Sequence, residues 1–301
     1  MVTSLMSPPR GTVPASPSQA DGLRDAVGRD GIAAASPSAG GTPTLLVASG
    51  RGGSGTTLLS ALLAVAAAGD GVRVLLVDAD DFVGPLALTL GVTPQASWTD
   101  LRGGRVTPSQ VATPVSSTLT LVAGGAPRYS GDAEGAAAVA ITAAERRACM
   151  RRLSPLAEQA DLVVVDCGAR LDPVLASITP HANERLVAVS AGSDPVALAA
   201  TYALCKAVHT RHRALPVDVL VNRHEGSEAA RCFDAIDAGA RQFLGLSLRL
   251  AGAIPADPTL DAALRRGMPF PDAAAGSPAA LAAHDVVMRA LSVRSPSRSG
   301  V

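Results

Sequence analysis

The sequence predicts an α/β fold, in which helices cover both faces of a doubly wound, mostly parallel sheet. Short apolar runs alternate along the chain with alanine-rich stretches of helical character. These runs are almost continuously apolar, as in strands that are buried on both faces. A glycine-rich loop also follows the first run and precedes a helix. Right-handed crossovers between parallel strands then place ligand sites at the carboxyl ends of the strands.

The elements can be assigned in order from the apolar runs. The first strand, Thr44–Ala48, leads through the glycine loop into a helix over about Gly55–Ala68. A long helix is predicted over Ala136–Leu153, with Pro155 ending or kinking it. The other predicted strands are Val72–Val77, Leu119–Val122, Leu162–Val165, Arg185–Val189, Val217–Val221 and Leu248–Ile254.

Composition divides the chain into three parts. Residues 1–42 are rich in Ala, Ser, Pro and Gly without an apolar period, which predicts a disordered leader. Residues 43–292 carry all the strand and helix signals and are predicted to form one folded domain. Residues 293–301 are predicted to be a polar tail.

Charge and cysteine usage narrow the class of protein. The formal net charge is zero and 2% of residues are aromatic, which argues against a basic DNA-binding face or a base-stacking platform. The four cysteines have no CxxC spacing, which indicates reduced thiols rather than a disulfide framework or metal site. No apolar run is long enough to span a membrane. We therefore expect a cytoplasmic protein.

The glycine loop matches the phosphate-binding pattern G-x-x-x-x-G-K-[ST] except at one position. Gly50 and Gly55 are the bracketing glycines and Thr57 is the Mg²⁺-ligand hydroxyl, but Thr56 stands where the lysine belongs. Glycine permits close backbone approach, and a helix N-terminus attracts anions. A glycine turn without a ligand is the alternative. Lys206 is the only lysine in the chain, yet a drift from lysine to arginine does not explain a threonine at position 56.

Acidic residues end two of the predicted strands. Asp78 and Asp80 follow the second strand at positions i and i+2, where they can hold Mg²⁺ or orient an attacking water. With Asp81 adjoining, a solvated acidic turn is the alternative. Asp166 ends the strand Leu162–Val165 at the place of a Walker B acid, or is a plain strand-end aspartate.

Two later positions give weaker signals. The Asn222 amide follows a strand and can pair with the edge of adenine, or can simply begin a turn. His209 and His212 have a spacing of i and i+3, so they could form half of a metal site. Cationic residues at a helix C-terminus are the plainer interpretation.

In this order the motifs resemble those of the deviant-Walker MinD/ParA superfamily of P-loop ATPases. The family string S-G-K-G-G-x-G-K-T-T aligns with Ser49–Leu58. Leu75–Asp80 resembles the family's switch I, and Val164–Asp166 resembles its Walker B strand. Val221–Arg223 is similar to its adenine-side motif, and Gly252–Asp257 is similar to its closing pattern.

Within the superfamily the chain is most similar to the actinobacterial CpaE-like, septum-site-determining branch. This similarity rests on the G-R-G-G-x-G loop, the Trp98–Val106 segment and the Leu121–Gly125 end of the third strand. Compared with the family string, Arg51 replaces the signature lysine and Thr56 replaces the phosphate-loop lysine.

The resemblance implies that the protein binds ATP or ADP with Mg²⁺ and dimerises around ATP. It implies that Asp80 positions the attacking water and that Arg51 reaches the partner's phosphates, so both are candidate catalytic residues. The candidate metal ligands are Thr57, Asp78 and Asp166. The candidate nucleotide-binding residues are Gly50, Arg51, Gly52, Gly53, Ser54, Gly55, Thr56, Thr57, Leu58, Asn222, Arg223, Pro255 and Asp257.

The function implied by the resemblance is that of a homodimeric regulator that positions a pilus or secretion apparatus, or the division septum. Its partner is expected at the pole, the septum or the secretion or pilus machinery. Losing one well-placed donor typically costs roughly 10²–10³ in rate, so Thr56 predicts weak or lost hydrolysis. A pseudo-ATPase scaffold is the first alternative and a DNA-partitioning ParA-type ATPase the second. The last helix, about Pro278–Val293, is alanine-rich, which predicts core packing rather than a membrane anchor. Any recruitment to membrane or pole is then expected to go through a partner.

Overall fold

The computed structural model describes residues 41–80, 84–104, 106–125, 141–178 and 183–292. The predicted leader, apart from its last two residues, and the predicted tail lie outside the described residues. The strands are β1 (Thr44–Ser49), β2 (Val74–Asp78), β3 (Ala112–Pro114), β4 (Leu119–Val122), β5 (Leu162–Asp166), β6 (Glu184–Ala191), β7 (Val217–Asn222) and β8 (Arg249–Ile254). The α-helices are α1 (Thr56–Gly69), α2 (Pro85–Leu90), α3 (Pro108–Val111), α4 (Ala143–Arg152), α5 (Ser154–Ala157), α6 (Leu171–Ser177), α7 (Pro195–Arg211), α8 (Gly226–Leu244), α9 (Pro258–Arg265), α10 (Phe270–Ala274) and α11 (Pro278–Ser292). A 3₁₀ helix spans Trp98–Gly103.

The strands form one sheet in the order β3-β4-β2-β5-β1-β6-β7-β8. Every neighbouring pair is parallel except β3 and β4, which are antiparallel. The predicted doubly wound, mostly parallel sheet is therefore confirmed. The glycine loop follows β1, which lies near the middle of the sheet, between β5 and β6.

Both faces of the sheet are covered by helices, which gives two hydrophobic cores. Along β1, Leu45 and Val47 point into one core, and Leu46 and Ala48 into the other, as the two-residue period of a strand requires. The first core contains α1 and α11, and the second contains α4, α6, α7 and α8. Helix α11 packs through buried alanine and valine side chains, in agreement with its predicted core role. In the part of the chain described, no helix is both long and apolar enough to cross a membrane.

Two predicted elements differ from the structure. The long helix predicted from Ala136 begins instead at Ala143, because Thr142 and Glu145 form a capping box that starts a helix there. Of the residues before it, 136–140 lie outside the described part. That helix ends at Arg152 with Leu153 as its C-cap, close to the predicted end, and Pro155 lies in the first turn of the separate short helix α5. The second strand begins at Val74 rather than Val72, since the Val72 N–H donates to a carbonyl at the end of α1.

Candidate nucleotide-binding site

The glycine loop leaves its backbone open between β1 and α1. Gly53 and Gly55 have φ values of 77° and 83°, a backbone conformation that favours glycine. A Cβ atom placed on Gly52 or Gly53 would meet nothing within 4 Å. Among the described residues, no side chain caps the first turn of α1. The uncapped N–H groups of that turn are the donors that bind phosphate at helix N-termini.

The loop is anchored at its start by a very close contact with α7. A Cβ atom on Gly50 would lie 1.9 Å from the carbonyl oxygen of Ala200, well inside van der Waals contact. Position 50 therefore requires glycine for packing, apart from any role in binding phosphate. The side chain of Lys206 on the same helix is exposed.

The side chain of Thr56 is turned into the protein. It is 6% exposed, and its hydroxyl donates a hydrogen bond to Ser49 Oγ at 2.8 Å. Ser49 Oγ in turn donates to the carbonyl oxygen of Arg51, also at 2.8 Å. Thr56 thus belongs to a hydrogen-bond chain inside the loop. The lysine that usually stands at this position instead reaches the β- and γ-phosphates.

Arg51 is the cationic side chain of the loop, and it lies against the connection between β6 and α7. Its Nη2 atom is 3.3 Å from the carbonyl oxygen of Ala191 and 3.5 Å from Asp194 Oδ2. Asp194 caps α7 by accepting a hydrogen bond from the backbone N–H of Ala197. That bond, together with the charge of Arg51, lowers the pKa of Asp194 against the opposing effect of burial. The Arg51 side chain is 40% exposed, so solvent can reach it.

Thr57 and Asp166 lie together at the carboxyl end of the sheet. The Asp166 carboxylate accepts the backbone N–H of Gly168 at 3.1 Å, and the nearby hydroxyl groups of Thr57 and Ser60 act to lower its pKa. Asp166 is 2% exposed, and its burial raises the pKa of its carboxyl despite these donors. The structure therefore brings together the phosphate-loop threonine and the acid that the sequence predicts as Walker B.

Asp78 is paired with Asp166 in the register of β2 and β5. It is fully buried, and its two carboxyl oxygens accept the backbone N–H groups of Asp80 and Leu86, each at 3.1 Å. Burial, and next the charge of Asp166, raise the pKa of Asp78 to about 8. Asp80 is only partly buried and contributes to the raised pKa of both other acids, so all three are neighbours.

This set of donors fits Mg²⁺ held together with a phosphate ligand. Mg²⁺ usually takes one or two carboxylates and completes its octahedron with water and phosphate oxygens. The Thr57 hydroxyl, Asp166 and Asp78 are oxygen donors of that kind. Within the described residues, no three His, Cys, Asp or Glu side chains are grouped as a complete metal site. The predicted ligands thus suit a metal that arrives with its nucleotide.

Asn222 contacts the glycine loop directly. Its side chain is buried, and Nδ2 donates a hydrogen bond to the carbonyl oxygen of Ser54 at 2.9 Å. A Cβ atom on Gly55 would lie 2.7 Å from the same nitrogen. Asn222 therefore braces the loop, a role that the sequence did not indicate, and its contact with adenine stays a prediction. Arg223 follows with a φ of 66°, and its side chain is exposed.

Asp257 joins two helices beyond β8. Its Oδ1 atom accepts the backbone N–H groups of Thr259 and Leu260 at the start of α9. Its Oδ2 atom accepts the N–H of Ala279 in α11. Burial of this carboxylate is outweighed by these hydrogen bonds, so its pKa is lowered. The carboxylate has a structural role, while nucleotide contacts by Asp257 and by the partly exposed Pro255 stay predictions.

The structure shows no metal site at His209, late in α7, and His212, the C-cap of that helix, as far as its described residues go. No third ligand joins His209 and His212 within the described residues. Burial, with the nearby charge of Arg211, lowers the pKa of His212.

A family model shows the relationship of the chain to known proteins. Residues 45–270 match the model described as the CobQ/CobB/MinD/ParA nucleotide binding domain. Over 239 residues the chain is 28% identical to the antiactivator FleN of Pseudomonas aeruginosa, which covers 79% of this chain and 82% of FleN.

Solved structures of low sequence identity share the fold. The cell division ATPase MinD of Pyrococcus furiosus matches with a TM-score of 0.62 and 20% identity, over 82% of this chain and 97% of that one. MinD of Pyrococcus horikoshii, complexed with Mg-ADP, matches with a TM-score of 0.63 and 20% identity, over 85% and 100% of the two chains. An ATP complex of Cyanothece McdA matches with a TM-score of 0.59 and 21% identity, over 83% and 96%. With its family model covering most of the sequence and its fold shared with these structures, the chain belongs to the CobQ/CobB/MinD/ParA nucleotide-binding family.

Proposed function

We propose that the protein is a nucleotide-binding regulator that dimerises around ATP and positions a cellular machine, with slow or no hydrolysis. The machine is a pilus or secretion apparatus, or the division septum, as in the CpaE-like branch that the sequence resembles. The observation that carries the proposal is the identity and direction of the side chain at position 56. The loop backbone is open at Gly52 and Gly53, as phosphate binding requires, while the residue at the lysine position is a threonine turned into the protein.

Binding is supported by the groups that remain in place. The open backbone at Gly52 and Gly53 and the uncapped first turn of α1 present N–H donors to an anion. The Thr57 hydroxyl, which lies near Asp166, would ligate Mg²⁺, and this metal neutralises phosphate charge when it is bound with the nucleotide. Together these donors favour ATP or ADP without any contribution from Thr56.

Turnover is disfavoured because no cation projects from position 56. Phosphoryl transfer depends on charges placed where negative charge develops, and removing one such donor typically costs roughly 10²–10³ in rate. Arg51 is permanently charged and suited to phosphate oxygens, but its guanidinium lies beside Ala191 and Asp194. Asp80 would still orient a water. The proposed switch is therefore driven by binding and release of nucleotide, and recruitment to a membrane or pole goes through a protein partner.

Calorimetric titration of ATP and ADP with Mg²⁺ into the purified chain tests this proposal. Thr57→Ala should weaken binding roughly tenfold or more, because it removes a metal ligand. Ser60→Ala is the matched control, since it removes a hydroxyl one turn further along α1 that donates to the carbonyl oxygen of Thr56. Light scattering with and without ATP measures dimerisation. No binding heat at millimolar nucleotide would overturn the proposal and leave the pseudo-ATPase scaffold.

A second candidate is an antiactivator that opposes a regulatory protein. It is favoured by the similarity to FleN, which carries that description and is 28% identical. Both candidates require a protein partner and a nucleotide site, but they differ in the partner. Capture experiments with the ATP-loaded chain would distinguish them, because one partner is a component of a machine and the other an activator.

A further inference from the structure

The turn after β2 is held through three consecutive backbone carbonyls. Trp98 Nε1 donates to the carbonyl oxygen of Asp78 at 2.7 Å. Arg146 Nη1 donates to that of Ala79 at 2.8 Å. The backbone N–H of Gly125 donates to the carbonyl oxygen of Asp80 at 2.8 Å. The donors come from the 3₁₀ helix, from α4 and from the segment after β4, so the turn is fixed by three different elements.

Arg146 and Trp98 are buried together behind this turn. Arg146 is 2% exposed, Trp98 is fully buried, and the guanidinium carbon lies 5.4 Å from the centre of the indole ring. Burying a guanidinium is unfavourable unless it makes good hydrogen bonds or stacks on an aromatic ring. The neighbouring Arg147 and Arg151 of α4 are exposed. One arginine of this helix is thus placed inside the protein, where it contacts the turn.

The opposite side of the turn has no free space. A Cβ atom on Gly124 would lie 2.1 Å from the carbonyl oxygen of Asp80. The turn therefore cannot shift toward the end of β4. Inside the turn, the Asp80 N–H donates to Asp78 Oδ1 at 3.1 Å, so the orientation of one acid depends on the other.

We infer that Arg146 and Trp98 are positioning residues, which hold the Asp78–Asp80 turn so that Asp80 faces the nucleotide. The inference rests on the proposed function, since Asp80 acts there on a bound nucleotide. Both residues are buried behind the turn and act on it through its backbone carbonyls. A hydrogen bond from a charged donor contributes enough that its loss should increase the population of a released turn roughly tenfold to 100-fold.

Hydrogen exchange of the full chain without nucleotide tests the hold on the turn. In Arg146→Met the backbone amides of residues 79, 80 and 125 should exchange roughly tenfold faster or more. Arg146→Lys keeps a cationic donor and should restore part of the protection. Arg147→Met, an exposed substitution of the same kind on the same helix, should leave these amides unchanged. Equal exchange in the two methionine variants would overturn the inference.

A second variant serves if Arg146→Met does not fold. Trp98→Phe keeps an aromatic ring for Arg146 but removes the indole N–H, so it should also speed exchange of the same amides. Unchanged exchange in this variant would contradict the role of Trp98.

Tryptophan fluorescence separates this inference from the proposed function, because Trp98 is the only tryptophan in the chain. Since the indole bonds to the turn, its emission should change when Mg-ATP binds. Calorimetric heat without an emission change would overturn the coupling of Trp98 to the site, while leaving nucleotide binding intact. Faster exchange in Arg146→Met without any binding heat would support the hold on the turn and overturn the proposed function.

Discussion

Thr56→Lys should restore the cation that is missing from position 56 of the phosphate loop. The substitution removes the buried hydrogen bond from Thr56 to Ser49, whose hydroxyl keeps its own bond to the carbonyl of Arg51. Losing one such bond typically costs about 1 kcal/mol of stability. In a domain of this size that lowers the melting temperature by about 2–4 °C. The variant should therefore fold.

The same substitution should increase both affinity and rate. A charge-assisted hydrogen bond to phosphate contributes about 1.5–3 kcal/mol, which corresponds to roughly 10- to 100-fold tighter binding of Mg-ATP. A cation placed where charge develops should raise turnover by roughly 10²–10³. The rate should rise more than the affinity, since an ordinary P-loop lysine acts most strongly in the transition state.

Calorimetry and phosphate release measure the two effects in parallel. Thr56→Met is the matched control, because it has a long side chain without charge, and Thr56→Val removes the hydroxyl at almost constant shape. Both controls should bind Mg-ATP no more tightly than the wild-type chain. If Thr56→Lys bound and hydrolysed ATP no better than Thr56→Met, the reasoning that position 56 limits this site would be refuted.

Three further predictions concern packing and charge. Gly50→Ala should destabilise the fold by more than about 3 kcal/mol in a urea titration, because its Cβ would meet the α7 backbone at 1.9 Å. The control Gly52→Ala, whose Cβ would meet nothing within 4 Å, should change the free energy of unfolding by no more than about 0.5 kcal/mol. Asp218→Ala should cost about 3 kcal/mol in that assay, since the carboxylate is 2% exposed and two arginines would lose their shared partner. The hydrogen bond to Asp70 raises the pKa of His284. This pair therefore stabilises the fold fully below the unfolded-state pKa of about 6.5. The stabilisation is lost progressively as pH rises through the higher folded-state pKa. His284→Gln should therefore lower the urea midpoint more at pH about 5.5 than at about 9, and an equal loss at both would contradict this.

The sheet was largely predictable because its central strands are buried on both faces. Runs such as Leu162–Val165 leave a continuous apolar signal, and each predicted strand lies within two residues of an observed one at both ends. Strand β3 was missed because three residues with Pro114 at the edge carry no such signal. The start of α4 was misplaced because alanines before Thr142 continue a helical composition that the capping box interrupts.

The candidate site was predictable in its parts but not in its hydrogen bonds. Strand ends in a parallel sheet meet at one edge, so the proximity of Thr57 and Asp166 followed from topology. The inward direction of Thr56 depends on Ser49 seven residues earlier, a pairing that no pattern encodes. Arg146 was not identified because one buried arginine among four in a helix looks like its solvated neighbours.

The exposed position of Lys206 on α7 makes selective labelling of the unmodified sequence practical. The α-amino group has a lower pKa than lysine and can be blocked first near pH 7. An amine-reactive dye at higher pH would then modify one side chain, because the chain has no other lysine. That side chain lies on the helix whose backbone touches Gly50. Two labelled copies would therefore report the distance between equivalent helices by energy transfer, and hence the geometry of an assembled pair, without introducing any mutation.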